Sequence, residues 1–185
     1  MRIRTSREKR ILIFKTALRW VLYYILIFMC FIFMTSGTLL KPVLLIPAAL
    51  CIAVGNNQIA SAVTGAACGF LIDVCCNKLF GYNAVILTFF CILVSLSFEL
   101  YLKNKFVNIL IATAASALIM GWLDYKFYYE IWQYENVERI LRTVTLPVWC
   151  YTVVSSVFIY LIIKLINHFL MPKEHLTIEE AIKSY

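Results

Sequence analysis

Side chains able to do chemistry are few and scattered in this sequence. Its 185 residues include seven Cys but only two His, His168 and His175. The cysteines form no Cys-x-x-Cys pair and no Cys/His cluster with metal-ligand spacing, so neither a zinc site nor a disulfide framework is expected. No nucleophile elbow, metalloprotease motif, phosphate-binding loop or dinucleotide fingerprint occurs. We therefore predict no enzyme activity, no catalytic residue, no metal site and no cofactor.

One acidic residue has a notable position. Asp73 lies in the segment 65–83, GAACGFLIDVCCNKLFGYN, between long apolar runs. An acid on a membrane span costs free energy and is therefore a candidate for function. We expect Asp73 either to be hydrated near the interface, or to cap a neighbouring helix N-terminus, or to pair with Lys78 or a partner. Asn83, at the start of the next run, is expected to form hydrogen bonds at a helix terminus.

Two apolar segments carry small residues at helical spacing. Gly65 and Gly69 share one helix face, and small residues four apart let helix backbones approach closely in lipid. Each small face either closes the helices of this chain on one another or receives a transmembrane helix of another protein. The second face comprises Thr113, Ala117 and Gly121, with Ala112 and Ser116 beside it.

The composition requires a bilayer. Hydrophobic residues make up 63% of the chain and charged residues 15%, which is more apolar side chain than a soluble domain of this size can bury. We predict an all-α polytopic membrane protein with a single bundle of six transmembrane helices. The predicted segments are Trp20–Leu40, Pro42–Val54, Ile59–Cys76, Tyr82–Leu102, Phe106–Leu123 and Leu146–Ile166.

The second segment is unusual. Pro42–Val54 would be only about 20 Å long as a helix, against a hydrocarbon core of roughly 30 Å. Pro42 suits a helix start, whereas Pro47 is expected to bend the helix. The segment therefore either crosses as a short bent span or dips into the membrane and returns.

The distribution of basic residues predicts the orientation. With six crossings and the N-terminus inside, 12 of the 17 Lys and Arg lie on the inner side, which is the positive-inside pattern. Both termini are then cytoplasmic. The chain divides into a basic cytoplasmic segment 1–19, a transmembrane domain 20–170 and a short cytoplasmic tail 171–185. The net charge of +7 is interpreted as attraction to anionic membrane lipid, not to nucleic acid.

The longest loop, 124–142, is rich in aromatic residues. Tyr128, Tyr129 and Trp132 lie in it and resemble an aromatic belt at the outer membrane interface. They serve either as interfacial anchors or as a docking platform for a partner.

The segments GAACGFLID at 65–73 and LFGYNA at 79–84, followed by a long apolar span, resemble the rod shape-determining protein MreD family. Chain length and six spans with both termini inside agree with that resemblance. It implies a non-enzymatic component of the bacterial cell-elongation machinery in the cytoplasmic (inner) membrane, which helps regulate cell shape and peptidoglycan synthesis. It also implies that MreC is the direct partner, with indirect links to MreB, RodA and its penicillin-binding transpeptidase. On this interpretation, the residues that pack against a partner helix are Gly65, Gly69, Asp73, Gly81 and Asn83.

Two other functions stay open from the sequence. The first is the substrate-binding subunit of an energy-coupling-factor vitamin transporter, which has similar length and six spans. Its first helix usually carries a small-residue docking face, whereas Trp20–Leu40 is bulky throughout. The second is a small membrane enzyme of lipid chemistry, which would need clustered acids or histidines near one interface.

Overall fold

The chain folds as a bundle of α-helices. The computed structural model describes residues 6–36, 41–100, 105–130, 139 and 141–170, and this part of the chain is helical without any β-strand, as predicted. The helices are α1 (Ser6–Thr35), α2 (Leu45–Ala53), α3 (Gln58–Cys76), α4 (Tyr82–Leu100), α5 (Lys105–Tyr125) and α6 (Leu146–Leu170). Short π-helical turns follow α5 at Lys126–Glu130 and precede α6 at Leu141–Thr145.

Five of the helices described are long and apolar enough to cross a membrane. They correspond to all the predicted segments except the second, and the bounds of α3 to α6 agree with the prediction within a few residues. Each exposes apolar side chains on its outer face, including Phe28, Val63, Phe89 and Phe158. Such an exposed apolar surface is stable only against lipid.

The first helix begins earlier than predicted. α1 starts at Ser6 rather than at Trp20, so the predicted division at residue 19 does not coincide with a break in the structure. No Gly or Pro occurs before Gly37, so nothing in the sequence interrupts the helix. Its membrane-compatible part begins at Ile13. The predicted tail 171–185 lies outside the described residues.

The short second segment forms the centre of the bundle. α2 has nine residues and all of them are buried. It contacts each of the other five helices. A helix of this length spans only about 14 Å. α2 begins at Leu45, so Pro47 falls in the first turn, where its missing N–H breaks no intrahelical hydrogen bond and gives no cause for the bend expected there.

Polar contacts identify one end of the bundle. The Arg19 guanidinium donates to the Asn56 side chain, with 3.0 Å between Nη2 and Oδ1. The Tyr23 hydroxyl donates to Asn167 near the end of α6. The middle of α1, the chain just after α2 and the end of α6 therefore meet here, at what we call the Arg19 end.

At the opposite end, which we call the Asp73 end, the end of α1 meets the starts of α2 and α6. The Lys41 ammonium donates to the Phe33 carbonyl at 3.1 Å, and the Val43 N–H donates to the Thr152 hydroxyl at 3.0 Å. The segment from Lys41 to Asn56 therefore runs from the Asp73 end to the Arg19 end. Successive helices of the bundle alternate in direction.

Removing a side chain from α2 tests its central position. Leu50 is fully buried, so Leu50→Ala leaves a cavity that every surrounding helix would have to close. We expect the free energy of unfolding to fall by about 2–5 kcal/mol. Leu93→Ala, on the outer face of α4, is the matched control because that side chain is 41% exposed. Denaturant titration in detergent micelles measures both, and equal losses would contradict a core centred on α2.

Candidate functional site: the Asp73 hairpin and its cavity

Asp73 caps the N-terminus of α4. Its side chain is 1% exposed. The Gly81 N–H donates to Oδ2 at 2.8 Å, and Asn83 donates to Oδ1 from its backbone N–H at 3.1 Å and from its side-chain amide at 2.8 Å. The first N–H groups of a helix lack intrahelical acceptors and carry partial positive charge, which a carboxylate complements. Of the alternatives for Asp73, the structure therefore shows the cap, and Asn83 binds at the helix terminus as predicted.

The turn between α3 and α4 also depends on Asp73. Asn77 ends α3 in the left-handed conformation with φ of 49°, which Asn tolerates better than most residues. The Lys78 N–H then donates to the Asp73 carbonyl at 3.0 Å. Gly81 has φ of 95°, a conformation that glycine adopts at little cost. Asp73 thus accepts a hydrogen bond at the C-terminus of α3 through its backbone carbonyl and caps the N-terminus of α4 through its carboxylate.

Contacts from α5 hold this turn in place. Lys78 forms a salt bridge with Asp124 near the end of α5. The Tyr128 hydroxyl accepts a hydrogen bond from the Leu79 N–H at 2.9 Å, and its ring lies edge-on to that of Tyr82 with centroids 6.0 Å apart. The α3–α4 hairpin is therefore fastened to α5 at the Asp73 end.

The aromatic loop is only partly described. Tyr128 packs on the α3–α4 turn, so at least one of the predicted interface residues has a structural contact within the chain. Trp132 and the side chain of Tyr129 lie outside the described residues, and the docking role of these three residues stays a prediction.

Gly65 and Gly69 face α4 of the same chain. A Cβ added to Gly69 would lie 2.3 Å from the Ala84 Cα, and one added to Gly65 would lie 3.0 Å from the Thr88 Cα. The backbones of α3 and α4 therefore approach so closely that only glycine fits at residue 69. This face closes the bundle, and the alternative that it receives a partner helix is corrected: α4 already occupies it.

The second small face has an analogous role between α5 and α6. Thr113, Ser116 and Ala117 are buried. The Trp149 indole N–H of α6 donates to the Ala114 carbonyl of α5 at 3.0 Å. Gly121 is less crowded than Gly69, since an added Cβ would meet only the methyl group of Thr145, in the π-helical turn before α6, at 3.4 Å.

A large cavity lies at the Asp73 end. Its volume is about 920 Å³, and it lies between the end of α1, the start of α2, the end of α3 and the α5–α6 region. Its wall is mostly apolar and includes Ile46, Ile72, Met120, Trp122 and Trp149. The charged residues of the wall are Lys41, Lys78 and Asp124, and Asn83 lines it as well. A cavity of this size and character is suited to binding.

Within the described ranges, no group of three or more His, Cys, Asp or Glu is placed to hold a metal ion. All seven cysteines are free thiols. The carboxylate of Asp73 accepts three hydrogen bonds from backbone and amide donors, so it has a structural role at the start of α4.

Sequence reasoning missed Asp124 and the large cavity. Asp124 follows an apolar span and is the natural counterpart of a basic residue at the same membrane depth. Lys78, in the turn after α3, is such a residue, but the two are 46 positions apart. A rule that pairs charges at the same end of predicted spans would have suggested the salt bridge. No local signal predicts the cavity, because five separate parts of the chain form its wall.

The cap predicts a specific loss of stability. Asp73→Asn keeps the shape of the side chain but presents an NH₂ group to one of the three donors and removes the charge. We expect a fall in the free energy of unfolding of about 1–3 kcal/mol. Glu99→Gln is the matched control, because Glu99 is exposed and accepts one bond, from Gln58 at 3.2 Å. Thermal melting of both variants measures the difference, and an unchanged Asp73→Asn melting temperature would argue against the cap.

The close approach at Gly69 gives a second prediction. Gly69→Ala must push α4 away from α3, so we expect it to destabilise the protein by about 1–3 kcal/mol, and Gly69→Leu by more. Gly121→Ala has room for its methyl group and serves as the control. Yield and melting of the two alanine variants in one detergent provide the comparison. If both variants matched the parent protein, the α3–α4 packing described above would be wrong.

Comparison with protein-family models gave a match that covers most of the chain. A protein-family model described as rod shape-determining protein MreD matches residues 9–169. The match includes the Asp73 hairpin and nearly all of the helical bundle. Searches of curated proteins and of solved structures gave no match. Since the family model covers most of the 185 residues, the chain belongs to the rod shape-determining protein MreD family.

Proposed function

We propose that this chain is a non-enzymatic, multi-pass component of the bacterial cytoplasmic membrane that binds MreC and thereby helps regulate cell shape and peptidoglycan synthesis. The family match over residues 9–169 carries the proposal. Through MreC, the chain connects indirectly with MreB, RodA and its penicillin-binding transpeptidase. Its contribution is to bind a partner and to position it.

The arrangement of the two acids at the Asp73 end supports a binding role over acid–base catalysis. Acid–base catalysis needs a group that is free to exchange a proton with a bound substrate. Asp73 is instead committed to the N-terminus of α4, and Asp124 is paired with Lys78. The vitamin-transporter alternative has no observation in its favour that the MreD family does not explain equally well.

The Asp73 end is the part of the molecule best suited to receive MreC. The glycine face of α3 is occupied by α4, so a partner must bind elsewhere. The large cavity offers an apolar wall with aromatic side chains, including Trp122 and Trp149. Buried aromatic residues dominate the affinity of many interfaces. We infer that a segment of MreC next to its membrane helix enters this cavity.

We also propose six crossings with both termini cytoplasmic. The positive-inside bias supports this orientation. The run of the chain from Lys41 to Asn56, between opposite ends of the bundle, supports a crossing at α2. The other helices enclose α2, so α2 does not contact the lipid. Its length can therefore be shorter than the hydrocarbon core, and the polar residues next to it can lie within the bundle.

Labelling of introduced cysteines tests this topology. In a background without the native cysteines, we expect a membrane-impermeant thiol reagent to label Lys41→Cys from outside intact cells. Arg10→Cys, which precedes the membrane-compatible part of α1, should react only after the membrane is opened. The reverse pattern would contradict the orientation, and identical behaviour of the two positions would contradict an odd number of crossings between them.

Capture of MreC tests the proposed partner and its site. Leu118 and Val144 line the large cavity and are 49% and 40% exposed. The double variant Leu118→Trp/Val144→Trp should obstruct the cavity and reduce the MreC that co-purifies by roughly tenfold, comparable to the loss of one dominant interface side chain. The control Leu93→Trp/Leu96→Trp adds the same bulk to the outer face of α4. Failure of the parent protein to capture MreC would refute the proposal, and full capture by the cavity variant would refute this site.

A further inference from the structure

A second cavity, at the Arg19 end, has no part in the function described so far. Its volume is about 510 Å³, and it lies between the end of α2, the first turns of α5 and the last turns of α6. The apolar side chains of its wall are Val54, Ile109, Leu161, Ile163 and Leu165, together with Cys51.

Polar residues of α6 line one side of this cavity. Tyr160, Lys164 and His168 are spaced four residues apart, so they lie on one helix face, and all three border the cavity. Lys164 and His168 are exposed, which leaves their nitrogen atoms accessible. None of the described residues that line the cavity is Asp or Glu. The site therefore has a basic rim and an apolar interior, and we call it the basic cleft.

The wall next to this rim adds a further polar group. Asn167 accepts a hydrogen bond from Tyr23 through Oδ1. The amide nitrogen of Asn167 lies next to Gly55, 3.5 Å from the position that a Cβ added to Gly55 would occupy. The absence of a side chain at Gly55 leaves space beside an N–H donor, close to His168.

We propose that the basic cleft binds an anionic phospholipid, with the phosphate at Lys164 and His168 and an acyl chain along the apolar wall. Basic pockets between transmembrane helices on the cytoplasmic side are the kind of site that takes anionic lipid headgroups. The bilayer supplies such lipids at the same depth as the rim. This inference goes beyond the proposed function, and only its assignment to the cytoplasmic leaflet rests on the proposed topology.

The shape of the basic cleft favours a lipid over other ligands. A transmembrane helix with apolar side chains would contact the wall of the cleft but would leave the basic rim without an anionic partner. A free phosphate ion would contact the rim but would leave the apolar wall without a ligand. An amphiphile with one anionic group and a hydrocarbon chain matches both parts.

Lipid binding to the purified full-length protein tests the proposal. The protein is placed in nanodiscs of phosphatidylcholine that contain a small fraction of phosphatidylglycerol, and native mass spectrometry measures the lipids retained on release. The site variant is Lys164→Gln/His168→Gln. The control Arg10→Gln/Lys15→Gln also removes two basic groups, from exposed positions on α1 that do not line the cleft. A further variant, Leu161→Trp, obstructs the apolar wall without changing the charge.

We expect the parent protein to retain phosphatidylglycerol in preference to phosphatidylcholine. The site variant should bind it at least about fivefold more weakly, the effect of losing one basic group near an anionic lipid. The control should retain the preference, and Leu161→Trp should lose most of the bound lipid. The proposal is overturned if the parent protein shows no preference, if both double variants lose equal amounts, or if Leu161→Trp binds lipid normally. Full displacement of the retained phosphatidylglycerol by inorganic phosphate would show that the apolar wall adds nothing to binding, and would overturn the proposal in favour of a free anion site.

Discussion

The carboxylate of Asp73 is the interaction on which this hairpin depends. Within a bilayer, backbone N–H groups that find no partner inside the protein are costly. Asp73 accepts from Gly81 and Asn83, and it can reach them only because α3 and α4 are in close contact one turn earlier, at Gly69. The cap and the glycine contact therefore depend on each other. Without the glycine contact the carboxylate would be too far from α4 to cap it, and without the cap the first N–H groups of α4 would lack acceptors. Together, the two contacts fix where α4 begins in the bundle.

The rest of the Asp73 end is built around this hairpin. Lys78 and Leu79, in its turn, bind Asp124 and Tyr128 of the α5 region, so the position of α5 follows from that of the turn. The buried α2 contacts all five longer helices at the centre of the bundle. The large cavity lies at the Asp73 end of this bundle, and the basic cleft lies at the Arg19 end. A bundle held in this way can present a binding surface of fixed shape, which suits the proposed role of positioning a partner.

Local features were predictable from the sequence, and long-range features were not. The presence of the long helices and most of their boundaries follow from the apolar runs in the sequence. Recognising these runs requires no information on which segments pack together. The spacing of Gly65 and Gly69 correctly indicates close helix packing, but it carries no information on which helix approaches, and the partner-helix interpretation was wrong for that reason. The effect of Pro47 depends on where α2 begins: with Leu45 as the first residue, Pro47 lies in the first turn, where its missing N–H costs no hydrogen bond. The Lys78–Asp124 salt bridge could be found only once the fold brought the two residues together.

Site-specific photo-crosslinking in native membranes tests most directly the claim that the Asp73 end receives the partner. A photoreactive amino acid is placed at Trp122, in the wall of the large cavity, or at Ile59, which is 80% exposed near the Arg19 end. Mass spectrometry then identifies the adducts. We predict MreC adducts from position 122 and few or none from position 59. MreC adducts from position 59 alone, or from neither position, would contradict the assignment of partner binding to the Asp73 end.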